Sequence, residues 1–195
     1  MKNLLARFWL RLWRWSVVPV SEPMPDRCVI IAAPHTTNWD FPLMLAHARV
    51  CGVKLSWLGK DSLFRGPMGP IMRRFGGVAI DRSAPGGMVA ALAQELNERP
   101  VLRLLVPAEG TRSKTEYWKS GFYRIAQQAD VPLVLSFLDR STRSGGFGQA
   151  FRLTGDVRAD MDVIRAFYAG KTGLKDNRFG PIRLREEDAP DTPIA

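Results

Sequence analysis

The stretch CVIIAAPHTTNWDFP, residues 28–42, runs from six consecutive apolar residues through a proline to a histidine, with an aspartate five positions further on. An unbroken apolar run bounded by turn residues predicts a strand buried on both faces. Pro34 cannot continue a ladder, and Thr-Thr-Asn favours a turn, so the strand over Val29–Ala33 ends there. Thr37 or Asn38 is then a suitable N-cap for a helix over about residues 40–50. On one continuous helix His35 and Asp40 would point roughly 140° apart. With the histidine in the loop and the aspartate in the first turn, the chain bends and the carboxylate reaches back to one ring nitrogen. Such a contact fixes the tautomer and stabilises the imidazolium formed when the other nitrogen takes a proton. The pair is therefore read as a base with its orienting carboxylate, or as a histidine that happens to lie near an aspartate. This stretch alone permits both.

Working outward, three more runs resemble strands: VKLSWL at 53–58, VLRLLV at 101–106 and VPLVLSFL at 131–138. They alternate with longer segments of helical period, which predicts an α/β fold: a single domain with a mostly parallel sheet flanked by helices. A chain of 195 residues with 46% hydrophobic content suffices for one well-buried domain. That domain is expected over residues 25–195, preceded by an appendage over residues 1–20. Cys28 and Cys51 form no disulfide framework and are read as core residues, which suits a reducing compartment. His47 in LAHARV has no companion group and is read as structural.

The appendage, MKNLLARFWLRLWRWSVVPV, is interrupted by Arg7, Arg11 and Arg14 too often for a membrane span, and no small-residue cleavage site follows. On a helix these arginines fall within an arc of roughly 60°. Leu5, Phe8, Trp9, Leu12, Trp13 and Trp15 fill the other side. This predicts an amphipathic helix lying on an anionic membrane surface, with tryptophans at headgroup depth. The alternative is a helix packed on its own domain.

The net charge of +9 attracts polyanions: nucleic acid, anionic lipid or phosphorylated small molecules. Zinc-ligand spacing and a base-reading helix are both missing, which argues against nucleic acid as the partner. In LLVPAEGTRSK, residues 104–114, Gly110 permits close backbone approach, Thr111 offers a hydroxyl and Arg112 a bidentate grip on phosphate. An ordinary polar loop reads the same way. The kinked segment 59–83 holds Lys60, Arg65, Arg73, Arg74 and Arg82, which either line an anion site or decorate a surface. AGKTG at 169–173 is no P-loop, because Arg165 stands where the first glycine belongs; it is read as a helix end and a basic loop. RSGGFGQAF at 143–151 is read as a tight turn between two strands.

Taken in order, these pieces resemble the glycerolipid acyltransferase superfamily, of the 1-acylglycerol-3-phosphate acyltransferase type. His35 and Asp40 match its His-x4-Asp block. Lys60, Leu63, Pro67, Gly76–Gly77 and Asp81–Arg82 match the second block, and Glu109–Arg112 the Glu-Gly-Thr-Arg block. Val131, Pro132 and Leu133 match the fourth. Ala108 separates Pro107 from Glu109, where the family has proline directly before the glutamate. The resemblance covers roughly residues 25–140. It implies an O-acyltransferase in which His35, held by Asp40, deprotonates a lysophospholipid hydroxyl that attacks an acyl thioester. The donor would be acyl-CoA or acyl carrier protein, with no cofactor and no metal. Lys60, Arg82 and Arg112 would bind the acceptor phosphate, helped by the amides of Gly110 and Thr111, while Glu109 would orient the loop or the glycerol. The expected place of action is the cytoplasmic side of the cell membrane, as a peripheral or monotopic protein. Another lyso-lipid, such as one containing an amino acid, is the alternative acceptor. A non-catalytic membrane-surface or nucleic-acid-binding protein is the alternative of another class.

Overall fold

Each of the four apolar runs forms a strand in the computed structural model, which describes residues 3–59, 61–79 and 87–188. In chain order the elements are α1 (Leu4–Leu12), β1 (Ser16–Val17), β2 (Arg27–Ala32), α2 (Asp40–Cys51), β3 (Ser56–Gly59), α3 (Met68–Arg74) and β4 (Gly77–Ala79). There follow α4 (Gly87–Glu98), β5 (Leu102–Pro107), α5 (Gly121–Ala129), β6 (Leu133–Asp139), β7 (Ser144–Phe151) and α6 (Val157–Tyr168). The strands form one seven-stranded sheet in the order β1-β7-β6-β2-β5-β3-β4. All neighbours are parallel except β6 and β7, which form an antiparallel hairpin. The protein is thus an α/β domain with a mostly parallel sheet, as its strand–helix alternation implies.

The central strand β2 shows why. Its residues Cys28 to Ile31 are wholly buried, and alternate side chains enter two separate cores. Val29 and Ile31 pack with Leu92 of α4, Phe122 of α5 and Met161 of α6. Cys28 and Ile30 pack with Leu10 of α1 and Leu43 of α2 on the other face. Burying an isoleucine completely contributes about 2–3 kcal/mol. A polar residue at any of these positions would be costly on either face, which is why the run shows no alternation.

Three readings need correction. The helix expected over residues 1–20 spans only Leu4–Leu12. Arg14 turns the chain with φ 58°, and Ser16–Val17 joins the sheet beside β7 as its edge strand. Trp15 packs edge-on against His47, and Leu10 is buried, so one side of the appendage belongs to the domain core. RSGGFGQAF is not a turn but strand β7; the turn lies just before it, where Arg143 takes φ 48°. Its glycines answer to close packing: a Cβ on Gly145 would lie 2.7 Å from His47 Nε2, and one on Gly148 2.6 Å from the Phe167 ring. Finally, neither Thr37 nor Asn38 is the N-cap of α2; Trp39 occupies that position without a side-chain cap.

Candidate active site

The C-terminal ends of β2 and β5 lie side by side, with Ala32 paired to Pro107. The loops that follow these strands therefore converge, one carrying His35 and the other Glu109 to Arg112. Ligands of open α/β sheets bind at this end of the strands.

His35 and Asp40 meet: Nδ1 of the histidine lies 3.1 Å from Oδ2 of the aspartate. Asp40 is 5% exposed and its carboxylate organises the whole loop. Oδ2 accepts from the backbone N–H of Thr36 at 2.6 Å and of Thr37 at 2.8 Å, and Oδ1 from the Thr37 hydroxyl at 2.9 Å. An ionised carboxylate only accepts, so His35 carries its proton on Nδ1 and leaves the Nε2 lone pair available. His35 lines a cavity of about 570 Å3 together with Asn38, Asp40, Gly110 and Arg112. A partly exposed base at the rim of such a cavity meets a ligand's proton without first having to unfold anything.

Two further contacts hold the loop. Thr36 is fully buried, and its hydroxyl accepts from the Lys175 N–H at 3.1 Å. A Cβ on Gly173 would come within 2.6 Å of Thr36 Cγ2, so only glycine lets this C-terminal segment lie so close. From the other side Glu109, 1% exposed, accepts the His35 backbone N–H on Oε1 at 2.5 Å. Its second oxygen is buried and has no hydrogen-bond partner among the described residues. Burial pushes the Glu109 carboxyl up to about 7, against the smaller opposing pull of the His35 N–H. Glu109 therefore couples the two loops through the backbone of the histidine rather than touching the ring.

Gly110 has φ 68°, and a Cβ there would meet Lys119 Cγ at 2.6 Å. Its N–H donates to Pro107 O at 3.1 Å, which removes this amide from the phosphate-binding role expected of it. The Thr111 hydroxyl accepts from the Ser113 N–H at 3.3 Å and shapes the loop. Arg112 donates to the Asn38 side-chain carbonyl, which aims its guanidinium across the His35 loop. Lys60 and Arg82, with Asp81, lie outside the described residues.

The structure adds two residues that sequence reasoning did not assign to the site. Asn38 is the partner of Arg112, contributed by the other loop. Lys119 lines the same cavity, and its ammonium has no hydrogen bond or ion pair among the described residues. Its backbone N–H donates to Ala108 O, and its stem packs where a Gly110 side chain would be. The requirement for glycine at 110 was its only trace in the sequence. Gly121, first residue of α5, also lines the cavity, so the uncapped helix N-terminus adds positive potential. His47 is buried between the carbonyls of Leu43 and Ser16 at 2.8 and 3.1 Å, and desolvation lowers its pKa. It is a packing residue that ties β1 to α2. No group of metal-ligating side chains is found among the described residues.

A family model described as Acyltransferase matches residues 17–135, more than half of the chain, and spans both loops of the site. The chain belongs to this acyltransferase family. Its fold is similar to the crystal structure of the 1-acyl-sn-glycerophosphate (LPA) acyltransferase, PlsC, from Thermotoga maritima, with a TM-score of 0.60 at 16% identity. The match covers 86% of this acyltransferase and 76% of that chain. No curated protein matches the sequence. The likeness therefore shows a shared architecture, and the chemistry of the acyltransferase must be argued from its own residues.

Proposed function

We propose that the protein transfers a fatty acyl group from an acyl thioester, acyl-CoA or acyl carrier protein, to the hydroxyl of a lysophospholipid, and that the acceptor is 1-acylglycerol-3-phosphate. The observation that carries this reading is the His35–Asp40 pair on the wall of a mostly apolar cavity that Arg112 and Lys119 also line.

The hydroxyl is a weak nucleophile, whereas a thioester is already activated. His35 Nε2 takes the hydroxyl proton as the oxygen attacks the acyl carbonyl carbon. The tetrahedral intermediate then collapses, the C–S bond breaks, and the thiolate takes the proton back from Nε2. Asp40 stabilises the imidazolium in between. General-base help of this kind contributes roughly 10²–10⁴ in rate. Arg112 and Lys119 bind the acceptor phosphate beside the α5 N-terminus, and Lys60 and Arg82 are proposed to join them. Glu109 keeps the His35 loop in register with the cations.

The protein is further proposed to work as a peripheral or monotopic protein on the cytoplasmic side of the cell membrane. Leu4, Leu5, Phe8 and Leu12 form an exposed stripe along α1, at 63, 84, 68 and 68% exposure, flanked by Arg7 and Arg11. An apolar stripe edged by cations suits an anionic lipid surface. None of the described helices is long and apolar enough to cross a membrane. The test is a purified-enzyme assay with acyl-CoA and acyl carrier protein donors against a panel of lyso-lipids, read by mass spectrometry. Acylation of 1-acylglycerol-3-phosphate that is lost in His35→Ala is the expected result. Turnover of an unphosphorylated or amino-acid-containing lyso-lipid in its place would reassign the acceptor, and no acyl transfer to any of them would refute the reading.

A further inference from the structure

Residues 171–175 carry no group that the proposed mechanism uses, yet the segment is tied down at both ends. It follows α6, whose last residue, Tyr168, donates its hydroxyl to Ser136 O at 2.9 Å and so brings the chain to the C-terminal end of β6. Gly170 turns it with φ 73°. From there it crosses from the end of β6 to the end of β2, its neighbour in the sheet. At the β6 end the anchor is Asp139, 5% exposed. Its Oδ1 accepts the Thr172 N–H and the Thr172 hydroxyl, both at 3.1 Å, and the carboxylate also accepts the hydroxyls of Ser141 and Thr142. Burial alone would raise this carboxyl; the hydrogen bonds from Thr142, Thr172 and Ser141 outweigh it and hold it down at about 2. The Arg140 N–H closes the tie on Thr172 O at 3.0 Å. At the β2 end the Lys175 N–H meets the Thr36 hydroxyl. Gly173 lies so close to the His35 loop that a Cβ on it would stand 2.6 Å from Thr36 Cγ2 and 3.1 Å from Pro34 Cβ.

Resting on the function proposed above, we propose that residues 171–175 form a strap that positions the catalytic base, with Asp139 as its anchor and Thr36 as the point at which it acts. Thr36 is the residue next to His35. Its N–H donates to Asp40 Oδ2, the same oxygen that faces His35 Nδ1, so a displacement of Thr36 moves the ring relative to its carboxylate. In the sheet β2 lies between β6 and β5. Glu109, after β5, holds the loop at the His35 backbone; the strap, anchored after β6, holds it at Thr36. The loop is thus clamped at two successive residues from the two strands that flank its own. Such precision matters for a general base, because a misplacement of about 1 Å costs on the order of a hundredfold in rate. Asp139, Thr172 and Gly173 do not belong to the cavity wall. They are positioning residues that work through Thr36.

The test starts from Gly173→Ala, which presses a methyl group against Thr36 without entering the cavity. It should lower kcat about tenfold to a hundredfold, with little change in KM for acyl-CoA or 1-acylglycerol-3-phosphate. The same substitution in a Thr36→Ser background, where the obstructing Cγ2 is gone, should cost far less. In a His35→Ala background it should cost nothing further, since no base is left to misplace. Nitrogen-15 spectra of the imidazole rings give a readout independent of turnover, with His47, the other histidine of the chain, as internal control. Gly173→Ala should disturb the His35 Nδ1–H signal and leave that of His47 in place. Thr172→Val, which strips a hydroxyl from the Asp139 anchor, should act in the same direction and keeps the test decisive should the alanine variant fail to fold. A folded Gly173→Ala protein with wild-type kcat or an undisturbed His35 ring overturns the proposal. So does a loss that appears in KM instead, that is as large in the Thr36→Ser background, or that persists without His35. If the wild type acylates no lyso-lipid, the functional reading falls, and the ring spectra still decide whether the strap holds the histidine.

Discussion

Glu109→Gln tests how the two loops are joined. The wild-type carboxyl is 1% exposed, has no partner for Oε2 among the described residues, and is pushed up from 4.5 to about 7 because burial disfavours its charged form. A carboxyl raised in this way stabilises the fold as the neutral acid. That contribution is complete below the unfolded-state value of 4.5 and is lost as the pH rises through about 7. At about 1.4 kcal/mol per pH unit, the span from 4.5 to about 7 corresponds to about 3 kcal/mol. Glutamine keeps a carbonyl acceptor for the His35 N–H and has no charge to bury. The assay is urea unfolding of wild type and Glu109→Gln from pH 5 to 8.5, followed by tryptophan fluorescence and comparing extrapolated stabilities. The wild type should lose stability relative to the variant by about 3 kcal/mol over that range, most of it before pH 7.5. Every other titrating group is common to both proteins and cancels in the difference. Parallel stability curves would refute the reasoning, because they would mean that Glu109 is charged in the fold throughout and is compensated by something other than its one hydrogen bond.

Other consequences are open to direct measurement. His35→Ala should lower kcat by roughly 10²–10⁴ with an unchanged melting temperature, and Asp40→Asn should lose less activity but also stability, since the charge accepting from Thr36 and Thr37 is gone; near-normal turnover of the alanine variant would defeat the mechanism. Arg112→Ala should weaken use of a phosphorylated acceptor by about 2–5 kcal/mol, and Lys119→Ala should raise its KM while Lys119→Arg restores it. Equal losses on thioester hydrolysis would instead place these cations with the donor. Leu12→Asn should release the protein from anionic vesicles without lowering its melting temperature, whereas Leu10→Ala, one turn-face away and 1% exposed, should cost about 2–5 kcal/mol of stability. The opposite pattern would mean that α1 faces the membrane with its other side.

Much of this site was legible one strand and one loop at a time. CVIIAA shows no polar alternation because both faces of β2 are covered, and the same reasoning located β5 and β6. The His35–Asp40 offset of five is incompatible with one helix and natural for a loop running into a first turn, so their meeting followed from local geometry. Features that depend on a distant partner were illegible. The glycines of 143–151 looked like a turn because their packing neighbours, His47 and Phe167, are far away in sequence. The N-terminal helix looked longer than it is because its tryptophans gave no sign of which would meet the domain. Lys119 carried no motif that marked it, and Asn38 looked like a cap.

By itself the sequence determined the α/β class, the buried strands, the strand–loop–helix that joins His35 to Asp40, and the second loop with Glu109 and Arg112, because periodicity and turn chemistry act over a few residues. Only the tertiary structure decided that Asn38 holds Arg112, that Glu109 grips the histidine's backbone, and that a segment near residue 175 pins Thr36. Each of these depends on parallel strands whose partners are about 70 or more residues apart in the chain. Register between such strands is set by the packing of the whole sheet, and no local stretch of sequence contains it.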